Sequence, residues 1–263
     1  MSNQMWQPIE GDGPIVAAAI HDGHDLRAEV AARMALSDAE RLREEDPHTG
    51  EWTTIVPTRL VVRRSRFEVD LNRPRDKAVY KTPADAWGLR VWTDTLPEDL
   101  VARSLAQYDA FYGELHDLLS SRIARFGGVL VLDLHTYNHR RDGPAGALAD
   151  PAQNPEVNIG TGTLDRARWA RLVDRFIADL RGFDFSGRHL DVRENVKFRG
   201  GNMSRWIHET FPAHACSLAI EFKKFFMDEW TGSADSATCD DIGRALRSTL
   251  PGLRAELAGV LGR

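Results

Sequence analysis

Three short apolar runs constrain the fold of this chain most strongly. They are PIVAAAI at 14–20, VLVL at 129–132 and SLAIEF at 217–222. Each has the length of a strand and no alternation with polar residues, a pattern typical of strands covered on both faces. Segments with helical spacing lie between them. We therefore predict an α/β fold in a single domain, with a mixed, mainly parallel sheet flanked by helices on both faces.

The rest of the sequence supplies the remaining elements of this prediction. Apolar residues spaced by three and four predict helices at 26–36, 96–126, 164–180, 203–211 and 240–261, the last with a break at Pro251-Gly252. Alternating patterns predict a long or bent strand, or a hairpin, at 58–71 and a polar strand at 190–196. Residues 139–163 are rich in Pro, Gly, Asn and Asp and predict a long loop that borders the site. Without repeats or a linker, we expect 1–263 to form one domain.

Composition limits the class of protein. A chain of 263 residues with 42% apolar content can bury a large core, and no apolar run is long enough for a membrane helix. The start lacks a targeting pattern, so we expect a cytoplasmic protein that does not bind membranes. A net charge of −5 without a basic stripe argues against nucleic acid. Cys216 and Cys239 fit no metal spacing, and no disulfide is expected. The expected partner is a small molecule.

Histidine follows two of the apolar runs. His21 comes directly after the run at 14–20, and His135 lies just beyond the run at 129–132. The carboxyl ends of parallel strands are where open α/β sheets bind their ligands. Two histidines there could share a zinc ion, which needs a third protein ligand in a catalytic site. The candidates for that third ligand are His24 and Asp46.

Glu221 is unusual because it lies inside an apolar strand. An ionised carboxylate in such surroundings costs several kcal/mol unless it is paired. One interpretation is a general base and acid whose pKa is raised by burial. The alternative is a salt bridge to Lys223, Lys224 or an arginine.

Basic and amide side chains near residue 70 predict anion binding. Asn72-Arg73 is suited to gripping a carboxylate, because Arg presents a planar fork of donors and Asn adds a neutral donor. The alternative is that this arginine ties Asp70 at the surface. Arg64 or Arg66, with Arg66 preferred, could stabilise an oxyanion. Arg140 and Arg141 either serve a second carboxylate or are solvated loop charges.

These residues together are suited to hydrolysing an amide. A metal would polarise the carbonyl and acidify a water, and Glu221 would take the water proton and pass it to the leaving nitrogen. The carboxylate clamp would hold an acidic substrate.

The motifs resemble those of the N-formylglutamate amidohydrolase family, which is itself similar to the zinc carboxypeptidases. Seven elements occur in the family's order: Ile20 to Gly23, Asp46-Pro47-His48, Ser65 to Arg73, His135-Thr136, Asn158 to Thr161, Gly200-Gly201 to Arg205, and Glu221 with Met227-Asp228-Glu229. The resemblance covers most of the chain.

The resemblance implies specific roles. It makes His21 and His135 zinc ligands, Asn72 and Arg73 carboxylate binders, and Glu221 the base. For the third ligand the amidohydrolases point to Asp46, whereas carboxypeptidases have Glu at the position of His24. The implied activity is zinc-dependent hydrolysis of an N-acylated acidic amino acid such as N-formylglutamate, with one zinc per chain.

Two other functions remain open at the level of the sequence. A metallocarboxypeptidase acting on a peptide or protein carboxyl terminus would use the same chemistry, but it needs a groove past the metal rather than a small pocket closed by residues 139–163. A catalytically silent metal-binding or ligand-binding protein would be indicated if Lys223 held Glu221 away from the metal.

Overall fold

A computed structural model of the chain describes residues 5–262. Seven strands form one sheet: β1 (Trp6–Ile9), β2 (Ile15–Ala19), β3 (Thr58–Val62), β4 (Val129–Tyr137), β5 (Val157–Gly160), β6 (Val192–Glu194) and β7 (Ala215–Lys223). Their order across the sheet is β1-β3-β2-β4-β7-β5-β6. The β1–β3 and β5–β7 pairs are antiparallel and the other four are parallel. The predicted mixed, mainly parallel α/β fold is confirmed.

In the described part of the chain, eight α-helices surround this sheet: α1 (Ala28–Ala31), α2 (Asp38–Glu44), α3 (Thr49–Trp52), α4 (Glu98–Phe126), α5 (Ala170–Gly182), α6 (Asn202–Thr210), α7 (Ser236–Ser248) and α8 (Leu250–Val260). Short 3-10 turns occupy 53–55, 75–77 and 83–86. Within residues 5–262, no helix is both long enough and apolar enough to cross a membrane.

The central strands are buried on both faces, as their unbroken apolar runs predict. In β2, Ile15 and Ala17 pack into one core cluster with residues of α5, α7 and α8. Val16 and Ala18 point the other way, into a second cluster with residues of α4 and α6. Because side chains alternate along a strand, one short apolar run supplies both cores.

Two predicted elements stop well before their predicted ends in the structure. The helix expected at 26–36 is only the single turn α1, because Met34 bridges to Trp92 and Ala35 N donates to Val91 O instead of continuing the helix. The strand expected at 58–71 ends at Val62, where β3 stops. Its apolar pattern continues because Val69 and Leu71, in the turns that follow, pack into the same core as β3.

Other boundaries shift for local reasons. The predicted helix at 240–261 is two helices, and they meet at Thr249 rather than at Pro251. Pro251 lies in the first turn of α8, where its missing N–H has no helical acceptor to lose. The predicted loop at 139–163 is irregular except for β5, which adds a strand antiparallel to β7.

Candidate active site

Three neighbouring parallel strands bring the predicted chemistry together. β2 leads directly to His21, β4 carries His135 near its end, and β7 carries Glu221 near its end. The register of β4 and β7 pairs His135 with Glu221, so these two side chains are direct neighbours across the sheet. The imidazole rings of His21 and His135 lie with their centroids 5.0 Å apart. The candidate site is thus built at the carboxyl edge of the sheet, as predicted.

Asp46 completes a buried cluster with the two histidines. One ligand atom from each of His21, Asp46 and His135 lies within 4.8 Å of the others, and all three residues are buried. Asp46 Oδ2 is 3.0 Å from His135 Nδ1 and 3.4 Å from His21 Nδ1. Two imidazole nitrogens and one carboxylate oxygen form a donor set that suits zinc, and three protein ligands are typical of catalytic zinc sites. The donor set therefore fits the implied metal.

The outer nitrogens of both rings face carboxylates. His21 Nε2 lies 2.8 Å from Asp70 Oδ1, in a hydrogen bond. His135 Nε2 lies 2.8 Å from Asp133 Oδ1, although this contact lacks the alignment of a hydrogen bond. Both contacts leave Nδ1 directed toward Asp46. Carboxylates in this position orient metal-binding imidazoles and favour one tautomer.

Asp46 is held in its ionised form. Burial alone would raise the pKa of its carboxyl group, but hydrogen bonds to His135 and His21 and the charges of these rings outweigh that effect. The pKa of Asp46 therefore falls well below its usual range. Thr136 Oγ1 also donates to Asp46 Oδ1 at 3.0 Å, which leaves Oδ2 to face the histidines.

His24, the other candidate for third ligand, is directed elsewhere. Its Nδ1 lies 2.5 Å from Glu45 Oε2, and its Nε2 lies 2.9 Å from Arg41 Nη2. The structure brings Asp46, and not His24, together with His21 and His135.

Glu221 is buried without a partner for its charge. Burial is the main reason that its pKa rises to about 7; nearby His135 opposes this rise, whereas Asp46 and Asp133 add to it. Among the residues described, none forms a hydrogen bond or ion pair with this carboxylate. Lys223 Nζ donates to Asn154 O at 3.0 Å, and Lys224 Nζ donates to the carbonyls of Arg43 and Glu45. Neither lysine locks Glu221.

A cavity of about 220 Å³ opens onto these groups. Its lining includes all three residues of the cluster together with Arg66, Asn72 and Glu221. A larger cavity of about 760 Å³ lies between residues 79–83 and 90–101. None of the predicted site residues lines the larger cavity, so the smaller cavity is the candidate active site.

Arg66 and Asn72 are both held in place at the small cavity. Arg66 Nη2 donates to Asp70 Oδ2 at 2.9 Å, and its guanidinium stacks over Trp87 at 4.9 Å. Asn72 Nδ2 is 3.5 Å from His135 Nε2, and Asn72 Oδ1 accepts from Met203 N at 3.1 Å.

Gly201 is required next to this asparagine. A Cβ at Gly201 would lie 2.1 Å from Asn72 Oδ1 and 2.2 Å from Asn72 Nδ2. The absence of a side chain at 201 therefore lets Asn72 reach the cavity.

Arg73 and Arg64 do not line the small cavity. Arg73 Nε lies 3.6 Å from Asp70 Oδ2, and its guanidinium packs over Tyr80 at 4.8 Å. Of the predicted Asn-Arg pair, only Asn72 faces the cavity. Arg64 Nε lies 3.6 Å from Glu68 Oε1 on another part of the surface.

Several residues at the cavity were not assigned to it from the sequence. They include Arg43, Arg199 and Lys224. Its position next to the Gly200-Gly201 motif was the one sequence signal that could have pointed to Arg199. The sequence separation between Arg199 and His135 does not predict that they line the same cavity. Among the residues described, none engages the Arg199 guanidinium in an ion pair or hydrogen bond.

Comparisons with known proteins identify the fold and the family. The fold is similar to the crystal structure of an N-formylglutamate amidohydrolase from Ralstonia eutropha JMP134, with a TM-score of 0.73 and 21% identity over 95% of this chain and 96% of that one. It is also similar to a gene product from Agrobacterium tumefaciens, with a TM-score of 0.64 and 17% identity over 92% and 91% of the two chains. A search of curated proteins finds no match. The sequence model of the N-formylglutamate amidohydrolase family matches residues 13–227, so this chain belongs to the N-formylglutamate amidohydrolase family.

Proposed function

We propose that this protein is a zinc-dependent hydrolase that cleaves the amide bond of an N-acylated acidic amino acid such as N-formylglutamate. The observation that carries the proposal is an unpaired, buried Glu221 beside the cluster of His21, Asp46 and His135, all facing one small cavity. Family membership supports the same activity.

In this proposal His21, Asp46 and His135 hold one zinc ion per chain. When bound, zinc supplies a Lewis acid that polarises the scissile carbonyl and lowers the pKa of water. Asp70 and Asp133 keep the two imidazoles oriented toward that centre.

Glu221 acts as the general base and then as the general acid. It accepts a proton from the attacking water and delivers that proton to the leaving nitrogen. In the metal-free protein, burial raises the pKa of this carboxylate toward neutrality, which suits a group that must both take up and release a proton. Its lack of competing partners leaves the carboxylate oxygens available for the water.

Arg66 stabilises the negative charge that develops on the carbonyl oxygen. Its guanidinium lines the cavity and is fixed by Asp70 and by the carbonyl of Glu44, which accepts from Arg66 Nη1 at 3.2 Å. Donors that are already fixed before the reaction stabilise an oxyanion most effectively.

The charge of the cavity suits an acidic substrate. Its lining contains five cationic side chains, of Arg43, Arg66, Arg141, Arg199 and Lys224, and three carboxylates, of Glu44, Asp46 and Glu221. Most of these cations already have partners; Arg141, for example, contacts both oxygens of Glu44.

We assign carboxylate binding to Asn72 and Arg199. Asn72 faces the cavity with its amide, and Arg199 contributes the guanidinium that has no partner among the described residues. Arg73 would have to leave Asp70 and Tyr80 to take part.

The size of the cavity favours a small substrate over a peptide. Sites for drug-sized ligands usually span about 300–1,000 Å³, and the volume here is about 220 Å³. This favours the amidohydrolase over a carboxypeptidase, which must accommodate a longer chain.

The test measures zinc content and the release of formate and glutamate from N-formylglutamate, for wild type and Glu221→Gln. We expect about one zinc per chain in both proteins and turnover only in the wild type. Zinc binding without formate release would reject this substrate, and a screen of peptide substrates would be the next experiment. A wild-type protein that binds no zinc would contradict the proposed hydrolase.

A further inference from the structure

Lys224 is a buried cation at the edge of the candidate site. Lys224 is only 1% exposed, and its side chain lines the small cavity. Nζ donates to Arg43 O at 2.6 Å and to Glu45 O at 2.8 Å, both at the carboxyl end of α2. Burying an ammonium group is costly unless its donors find acceptors, so these two contacts fix the lysine and the chain that it touches.

The peptide group between Glu45 and Asp46 is held at both of its polar atoms. Its carbonyl, Glu45 O, accepts from Lys224, and its N–H, on Asp46, donates to His21 O at 2.9 Å. A peptide group is planar and rigid. Fixing both ends of this plane therefore sets the position of the Asp46 Cα atom and the direction in which its carboxylate leaves the backbone.

We infer that Lys224 is a positioning residue for Asp46, a role that rests on the proposed metal site. Lys224 directly follows β7, the strand that carries Glu221. Asp46 lies outside the sheet, in the segment that follows α2. The lysine thus links the segment that supplies the third ligand to the strand that supplies the base. Without the lysine ammonium group, the segment after α2 would keep the hydrogen bond from Asp46 N to His21 O but would lose the hydrogen bond to the Glu45 carbonyl.

Lys223 offers a matched control. It is the adjacent residue and also donates to a backbone carbonyl, that of Asn154 at 3.0 Å. It is half-buried and, within the described part of the chain, forms no hydrogen bond or ion pair with residues 43–46. Replacing either lysine by Met removes one ammonium and keeps a side chain of similar length, but only the change at 224 releases Asp46.

The experiment compares wild type, Lys224→Met and Lys223→Met. Zinc affinity is measured by competition with a chelator, and the cobalt-substituted proteins are examined by visible absorption, which reports the geometry of the ligands. Loss of an outer contact of this kind lowers metal affinity by roughly 10–100-fold. We expect that loss and an altered cobalt spectrum for Lys224→Met, with both properties unchanged for Lys223→Met.

The possible failures can be told apart. Unchanged zinc affinity and an unchanged cobalt spectrum in Lys224→Met would overturn the positioning role and leave the metal site intact. A loss of zinc affinity in Lys223→Met equal to that in Lys224→Met would also overturn the positioning role. A wild-type protein without zinc or cobalt binding would overturn the metal site and this role with it. If Lys224→Met does not fold, Lys224→Gln takes its place, because glutamine stays polar but is one bond too short to reach both carbonyls. The same two readouts then apply: an unaltered spectrum and affinity would overturn the inference, and weakened binding would support it.

Discussion

Glu221→Gln should stabilise the metal-free protein above pH 7 while it abolishes turnover. Glutamine has nearly the same shape as a protonated glutamate but cannot become charged. In the wild type, burial raises the pKa of Glu221 from 4.5 to about 7. Above that pH the folded protein must keep an uncompensated charge in its interior, and the variant avoids this cost.

The sign and the size of the effect follow from that pKa. Between pH 4.5 and pH 7 the unfolded chain has released the proton that the folded protein still holds, so the stability of the wild type falls as the pH rises. The two pKa values differ by about 2.5, which corresponds to roughly 3 kcal/mol because a tenfold change in proton affinity is worth about 1.4 kcal/mol. In a chain of this size the expected increase in Tm is roughly 6 to 12 °C.

The assay is thermal or urea denaturation of chelated protein at pH 5 and pH 8. Zinc has to be removed because its charge would itself change the pKa of nearby groups. Glu209→Gln, at an exposed position of α6, is the matched control and should change little at either pH. The variant at 221 should exceed the stability of the wild type by less than roughly 1 kcal/mol at pH 5 and by roughly 3 kcal/mol at pH 8. An equal difference at both pH values, or a less stable variant at pH 8, would refute the reasoning.

Three further substitutions test the site. Asp46→Asn should lower zinc affinity by at least roughly tenfold, since it removes the charged member of the donor set; chelator competition measures this. Gly201→Ala should reduce kcat/KM with zinc content retained, because its Cβ would lie 2.1 Å from Asn72 Oδ1 and displace that amide. Arg199→Gln should reduce kcat/KM for N-formylglutamate by roughly 10–100-fold through loss of a charge-assisted contact, as measured by formate release.

Each of these three substitutions has a control, which is either another substitution in the same chain or another substrate in the same assay. His24→Ala should keep its zinc, and a loss equal to that of Asp46→Asn would contradict our choice of third ligand. Gly113→Ala, on the exposed face of α4 where a Cβ meets nothing within 4 Å, should leave activity unchanged. Arg199→Gln should affect N-formylglutamine much less than N-formylglutamate; an equal loss on both would show that Arg199 does not recognise the side-chain carboxylate.

The sequence was most informative where burial on both faces leaves no ambiguity. The apolar runs that lead to His21 and His135, and the one that contains Glu221, can only be interior strands, and interior parallel strands align their carboxyl ends. The neighbouring positions of these three residues therefore followed from local pattern and a general rule of sheet packing.

The rest of the site depends on contacts that local pattern does not encode. Spacing left both Asp46 and His24 open as the third ligand, and the family resemblance favoured Asp46. In the structure, Lys224 and the carbonyl of His21 hold the peptide before Asp46, at the end of α2. Arg73 does not line the cavity and lies instead against Asp70, three residues earlier, and over the ring of Tyr80. Residues far apart in the sequence thus fix Asp46, whereas the contact of Arg73 with Asp70 is the local alternative that the sequence had already offered.

The carboxylates around the two histidines differ in pKa because they differ in the hydrogen bonds that they accept. Asp46 and Asp70 are as deeply buried as Glu221, and burial alone would raise the pKa of each. Both are nevertheless held ionised, Asp46 by His135 and His21, and Asp70 by Arg66 and His21. Glu221 has no such donors, and its pKa stays near 7. Around this one cavity, two buried carboxylates are therefore ionised and a third has a pKa near neutrality, and the supply of hydrogen-bond donors, not the depth of burial, separates them.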